Sequence, residues 1–391
     1  MKDLTYERHY NKKMSDRTHD TIIIGAGISG LACARQLNEY NQDFLIISKD
    51  IGGRILTSKD GSANYGVFFV CSDYDNVLKY VTLKSRIHLR DFCFHKNKNK
   101  YVLFEPKLAR YLSQFIKTYK LLYKFRKKLR LLRKNSEIVS QKKAIENDSF
   151  LHELYMQKAS DFVKEHKIVS GTDTYLSKAL YSTTFSKISE MNAFSFLQFL
   201  IPLVTPIYTF TFEKEKMIKP FQDKIKIGSV TDIKFKDDKY KIKTADAILY
   251  SKNIVLATEI SWSKDFAGVK KVNLPVDTNM IHVKGIAKKE ISWKNYQLFS
   301  PPGNVQAVAD LKDGTHLFYY KNETPDLKDY FENPYIIASK QWRPAGTING
   351  HNLIESNRGN NMYLIGDYNI AGLEESYITG LFSANQIIQS E

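Results

Sequence analysis

The chain has 391 residues, 43% of them apolar and 13% aromatic. That length fits two interleaved domains rather than one small core, and the composition excludes a disordered tail or a fibre. Fifty-eight basic against 42 acidic residues give a net charge of +16, which points to an anionic partner: a phosphate-bearing cofactor, a membrane surface or nucleic acid. The chain is also rich in Lys, Asn, Ile and Tyr, a bias that can be genome-wide, so the charge is discounted as a clue to function. Three cysteines, Cys33, Cys71 and Cys93, form no CxxC pair. They argue against a disulfide framework or a zinc site and for a reducing, cytoplasmic compartment.

Residues 1–18 are polar and charged, with no apolar signal core, and read as a flexible extension. The clearest chemistry follows. Thr21 to Ile24 is a short apolar run suited to a strand buried on both faces. Gly25-Ala26-Gly27-Ile28-Ser29-Gly30 fits GxGxxG, a helical pattern begins at Leu31, and Phe44 to Ile47 is a second buried strand. Strand, glycine turn, helix and strand within about thirty residues are the dinucleotide-binding arrangement. Gly25 makes the tight turn, Gly27 leaves room for a pyrophosphate, and Gly30 lets the helix pack closely on the strand. The helix start then offers free N–H groups and a positive dipole end. An acid normally ends the second strand and holds a ribose hydroxyl. Here Ser48 stands at that place, followed by Lys49, which could pair with a phosphate, and Asp50.

Gly52-Gly53-Arg54 comes directly after the ribose position. A glycine pair and an arginine at this point resemble the GG-R signature of the flavin-containing amine oxidase superfamily, which includes monoamine and polyamine oxidases, protoporphyrinogen oxidase and phytoene desaturases. The resemblance implies FAD, a Rossmann-like fold and hydride transfer to the flavin. It places Tyr65 and Gly66 on the segment that passes the isoalloxazine ring. The end of the chain agrees with it. Asn361 to Ile365 reads as a strand running into Gly366-Asp367, and residues 371–386 as a loop and final helix. By resemblance, Asp367 would bond the ribityl or pyrophosphate region, and the N–H groups around Ser376, Tyr377 and Ile378 would face the flavin. A helix start there would stabilise negative charge.

Between these ends, Asp223 to Ile233 alternates like a strand, Lys239 to Thr244 reads as a second, and Lys252 to Leu256 as a third that ends at the small-residue turn Ala257-Thr258. The family places a β-meander here, with Val230 at the position that touches the adenine. Its Gly-Gly-Met element is absent; Glu213 to Met217 stands in its place.

The rest would cover the flavin and shape a substrate cavity. Leu108, Leu112, Phe115, Tyr119, Leu122, Phe125, Leu129 and Leu132 recur at three or four residues, predicting an amphipathic helix to about Arg133. Its polar face is basic, with no acid from Lys107 to Asn135. It reads as a solvated face on a core helix, with peripheral membrane contact through 107–134 as the alternative. No nucleic-acid motif accompanies it, which argues against a nucleic-acid partner. Met191 to Phe212 carries no charge, but Pro202 and Pro206 break its second half, so it reads as a buried helix followed by a strand or loop rather than a span. By resemblance, Trp342 lies beside the ring and Lys284 holds a water near flavin N5. No Cys occurs near residues 340–391, so the FAD is expected to be non-covalent. The nine histidines form no HxxxH pair, and no metal site is expected.

The expected fold is α/β: a Rossmann-like FAD-binding domain (19–79, 210–265 and 337–391), with a parallel sheet and a β-meander, interleaved with an α+β substrate domain (80–209 and 266–336). The expected function is a FAD-dependent oxidoreductase that removes a hydride from a C–N or C–C bond of a small molecule, an amine by resemblance. The alternatives are a desaturase or isomerase on a lipid-like substrate, and a FAD-binding scaffold without activity.

Overall fold

The computed structural model describes residues 18–97 and 99–390; the extension expected at 1–18 falls, except for Thr18, outside them. The N-terminal part runs β1 (Thr18–Ala26), α1 (Ile28–Glu39), β2 (Phe44–Ile51), β3 (Val70–Cys71), β4 (Val81–Ile87), β5 (Phe92–Lys96), β6 (Asn99–Val102) and α2 (Leu112–Asn135). Short helices fill much of residues 141–203. Then come β7 (Ile207–Phe212), β8 (Ile225–Ile227), β9 (Val230–Lys236), β10 (Lys239–Thr244), β11 (Ile248–Leu256) and β12 (Leu274–Ala287). The chain closes with β13 (Tyr296–Phe299), β14 (Val305–Asp310), β15 (Thr315–Tyr320), β16 (Phe331–Asn349), β17 (Met362–Leu364) and α3 (Leu373–Ser390).

The first sheet has the order β8-β2-β1-β11-β10-β9, with β17 also paired to β11. β1 pairs in parallel with β2 and β11, and β11 with β17, whereas β9, β10 and β11 pair antiparallel as a meander. Ile22 and Ile23 of β1 are fully buried on opposite faces, as a central parallel strand requires. α1 covers one face and is itself covered by α3. That contact is close because a Cβ at Gly380 would lie 2.2 Å from the Ser29 carbonyl oxygen.

The second sheet, β16-β12-β15-β14-β13-β5-β6, is antiparallel apart from the β13–β5 pair, and a three-stranded sheet, β3-β7-β4, lies beside it. The helices of 112–203 form a separate core: Leu122, Phe125, Leu129 and Leu132 of α2 pack with Phe194, Phe196 and Leu197. Three expectations change in detail. Asp223–Ile233 is not one strand: it breaks at Gly228-Ser229, and its halves β8 and β9 pair with different partners, β2 and β10. β16 runs unbroken through the 336/337 boundary. α2 starts at Leu112, the preceding turn Pro106–Tyr111 being 3-10. The uncharged stretch folds as expected, a buried helix (Ala193–Phe199) followed by β7. No helix of the described residues is long and apolar enough to cross a membrane.

Candidate functional site

A cavity of about 1070 Å³ runs from the turn after β1, past the start of α3, into the second sheet. Its volume slightly exceeds the ~300–1,000 Å³ range for small-molecule sites. One end is built from the glycine turn. Gly25 has φ +109°, and a Cβ there would lie 2.5 Å from the Ala257 carbonyl oxygen, so both conformation and proximity exclude a side chain. A Cβ on Gly30 would lie 2.0 Å from the Gly25 oxygen. Gly27 differs. It has φ −76° and lines the cavity, and a Cβ there would meet nothing within 4 Å. Gly30 therefore serves packing, and Gly27 serves the open space in front of the N-terminus of α1.

Ala26, Ile28, Ser29, Ser48, Lys49, Gly52, Gly53, Val230, Ala257 and Thr258 also line this end. The Ser48 hydroxyl accepts from the Ala26 N–H (3.0 Å) and donates its proton to the Asp50 carbonyl (2.7 Å), which leaves it one lone pair towards the cavity. These two bonds brace the turn. Two carboxylates beside the turn also line the cavity, Asp50 near the end of β2 and Glu259 just after Ala257-Thr258. Sequence reasoning passed over Glu259 because it belongs to no motif.

Arg54 joins the two ends of the chain. Its Nη1 and Nη2 donate to the two Asp367 carboxylate oxygens at 2.7 Å each, and Nη1 also reaches the Ala345 carbonyl at 3.2 Å. Asp367 further accepts the Thr347 N–H at 3.0 Å. Burial works against ionisation of Asp367. The charge and hydrogen bonds of Arg54 outweigh it and hold the carboxyl below the usual range. Asp367, the residue expected to contact the cofactor, is bonded to Arg54, and both line the cavity with Gly366.

The start of α3 is shifted from its expected place. Because the helix begins at Leu373, its free N–H groups belong to residues 373–375. The Ser376 N–H already bonds the Gly372 carbonyl (3.0 Å). Gly372, Leu373 and Ser376 line the cavity; Tyr377 and Ile378 do not. Glu374 and Glu375, unremarked in the sequence, are buried there. Glu374 accepts the N–H groups of Asp75, Asn76 and Val77 (2.8–3.0 Å), and Glu375 accepts from Arg133 of α2 (2.7 and 3.0 Å).

The other end is an aromatic chamber. Phe68, Phe92, Phe94, Phe115, Tyr175, Phe185, Tyr296 and Tyr319 line it, with Trp342 and Arg343 between chamber and turn. Gly66 borders it, where a Cβ would lie 2.0 Å from the Arg54 carbonyl oxygen. Tyr65 does not reach the cavity; its hydroxyl bonds His282 Nδ1 at 3.2 Å. Nor does Lys284 reach it. Its side chain is exposed on β12, and the residue of that strand that lines the chamber is Val276, eight positions earlier. The strand's register thus removes the basis for a Lys284 role beside the ring.

Residues 23–82 match the model of the NAD(P)-binding Rossmann-like domain. No curated protein matches the sequence significantly. Among solved structures, a putrescine oxidase aligns at TM-score 0.67 and 12% identity, covering 95% of this chain and 99% of its own. The cyclohexylamine oxidase of Brevibacterium oxydans IH-35A aligns at 0.63 and 15%, covering 96% and 99%. The chain shares its fold with these two amine oxidases. The same fold carries other activities: a CLA-producing fatty acid isomerase from P. acnes aligns at 0.66 and 14%, covering 95% and 98%. The Rossmann-like half, identified from GxGxxG and GG-R, and the α/β architecture are thus as the sequence implied.

Proposed function

We propose that the protein is a FAD-dependent oxidoreductase that removes a hydride from a C–N or C–C bond of a predominantly apolar small molecule. The residues present fit a flavin dinucleotide. The turn leaves open space at Gly27, the cavity continues past Arg54 to the start of α3, and the buried Trp342 indole N–H has no hydrogen-bond partner among the described residues. An unpartnered buried donor costs free energy unless a ligand completes it. Gly25 to Ser29 would hold the pyrophosphate, Asp50 or Glu259 the ribose, and Gly66, Trp342 and Gly372 to Ser376 the ring end.

Bound FAD would supply the hydride acceptor and redox cycle. The chain's own contribution is binding, orientation and exclusion of water. Arg54 is fixed by Asp367 and brings a positive charge to the junction between dinucleotide and chamber. The N–H groups at the start of α3 favour negative charge there. The observation that carries the substrate class is the chamber wall. Of the acids that line the cavity, Asp50 and Glu259 stand beside the glycine turn, and Asp367, at the junction with the chamber, is already paired with Arg54. A substrate ammonium would therefore meet aromatic faces rather than a carboxylate. The same wall favours, as a second reading, a desaturase or isomerase acting on a lipid-like molecule.

The test is anaerobic mixing of FAD-loaded protein with aliphatic and aromatic amines and with unsaturated lipids, followed by flavin absorbance. Bleaching by an amine supports amine oxidation. Lipid double-bond changes, with or without bleaching, support the second reading. A bound flavin that amines, lipids, NADH, NADPH and dithionite all leave oxidised would mark a scaffold and refute both.

A further inference from the structure

Helix α2 faces the protein on one side only. Thr118, Leu122, Phe125, Leu129 and Leu132 are buried against the helical core. Several of its basic residues are tied down. Arg126 bonds Asp73 (3.1 Å), Lys128 bonds Asp148 (2.7 Å), Arg133 bonds Glu375, and the Lys124 ammonium sits 3.9 Å from the Phe150 ring centre. The solvated basic face read from the sequence is therefore narrower than its composition implies. What remains outside is a second apolar stripe. Leu112, Ile116, Tyr119 and Tyr123, with Phe104 ahead of the helix, are 49–64% exposed. Spacings of four, three and four residues place the four helical members on one face. Lys120, Lys127 and Lys134 recur every seven residues along one edge of that face. All three are exposed, and none has a hydrogen bond or ion pair among the described residues.

Large apolar side chains in a row, bordered by unpaired lysines, are an interfacial pattern: the apolar groups enter the acyl boundary while lysines reach lipid phosphates. The stripe also adjoins the chamber. Leu103 and Phe115 line the cavity, while their neighbours Phe104 and Ile116 face outward. A second outer groove of about 610 Å³ is bordered by Phe104 with Arg86 and Arg90. Neither arginine has a side-chain partner among the described residues.

We propose that the outer face of α2, with Phe104, docks on a bilayer surface containing anionic lipid and holds the chamber wall against it. A second copy of this chain is the poorer occupant, because an antiparallel two-fold pairing of this face would bring its lysine rows together and a parallel one would leave both rows without an anionic partner. A nucleic acid would leave Leu112 and Ile116 without a use. Docking is independent of the reaction class, so it stands or falls apart from the reading above.

The experiment is sedimentation of the full chain with vesicles of phosphatidylcholine alone and of phosphatidylcholine with phosphatidylglycerol, at low and high salt. Two variants accompany it: L112S/I116S/Y119S/Y123S and K120E/K127E/K134E. Their fold is checked by circular dichroism and FAD binding, since all seven residues are exposed. Binding only to the anionic vesicles, weakened by salt, is expected. The lysine variant should lower the partition coefficient by at least roughly 100-fold, at about fivefold for each cation lost near the surface, with the three added carboxylates repelled further. The apolar variant should keep a weak, salt-sensitive residue of binding. Three results overturn the proposal: no sedimentation of wild type with anionic vesicles, binding that neither variant changes, or a dimer in solution that the apolar variant dissociates. Release from vesicles by excess duplex DNA that also binds the apolar variant with unchanged affinity overturns it too.

Discussion

Replacing Gly27 with valine separates the fold from the site. The backbone there (φ −76°, ψ 178°) suits any L-residue, and a Cβ meets nothing within 4 Å. Losing a glycine at a compatible position stabilises by ~0.4–1 kcal/mol. Valine is a poorer N-cap than glycine by a comparable amount, so the FAD-free protein should unfold within about 1 kcal/mol of wild type. The added methyl groups occupy the space in front of the α1 N-terminus. Overpacking against a ligand phosphate at about 1–3 kcal/mol lowers FAD affinity roughly 5- to 150-fold. Gly30→Ala should behave the opposite way. Its Cβ would stand 2.0 Å from the Gly25 carbonyl oxygen and 3.1 Å from the Ala257 Cβ, so the strand–helix contact must open and stability falls by ~1–3 kcal/mol or more. Urea unfolding of the FAD-free variants gives the first quantity and flavin fluorescence titration the second. A Gly27→Val protein that binds FAD like wild type, or a Gly30→Ala protein as stable as wild type, would refute the assignment of the two glycines.

Asp367→Asn should reduce FAD affinity by about tenfold, as Arg54 loses a charge-assisted partner; the arginine side chain is 35% exposed, so only part of the ~1.5–3 kcal/mol of such a bond is lost. Because the folded carboxyl titrates below its unfolded value of about 3.9, its contribution is present above that value. It is lost as pH falls through the depressed pKa, which acid titration of thermal stability detects. Arg133→Met should destabilise by about 3–5 kcal/mol, since it leaves Glu375 (2% exposed) without its cation, and Arg133→Met/Glu375→Gln should recover much of this in the same denaturation assay. Lys178 is 2% exposed and donates to the Asp173 carbonyl (2.7 Å), and burial lowers its pKa to about 8. The folded form thus disfavours the ammonium: the penalty is full below pH 8 and is relieved as pH rises toward the unfolded value near 10.4. Lys178→Met should therefore stabilise at pH 7, by up to about 3 kcal/mol, and the gain should shrink in melts at pH 10.

The parts legible in the sequence were those that main-chain geometry imposes. Gly25, Gly27 and Gly30 cannot be read apart from a strand–turn–helix, and the apolar runs of β1 and β2 fix where it lies. Side-chain pairing across long separations was not legible. Arg54 and Asp367 were each assigned to the cofactor, but 313 residues apart in sequence they bond each other. Register was the other gap. The alternation of Asp223–Ile233 continues through Gly228-Ser229, so nothing local shows that β8 and β9 have different partners. The start of α3 depends on three residues, which decides whether residues 373–375 or Ser376–Ile378 present free N–H groups. Lys284 sits on the expected strand but eight positions past the one that reaches the chamber.

Titration of the purified, FAD-free chain with FAD, read by flavin fluorescence and by the spectrum of the re-isolated protein, tests the central claim most directly. Saturation at one FAD per chain, with the flavin retained through gel filtration and released on denaturation, is the outcome the cavity requires. A chain that stays colourless and leaves the fluorescence of added FAD unchanged would contradict it.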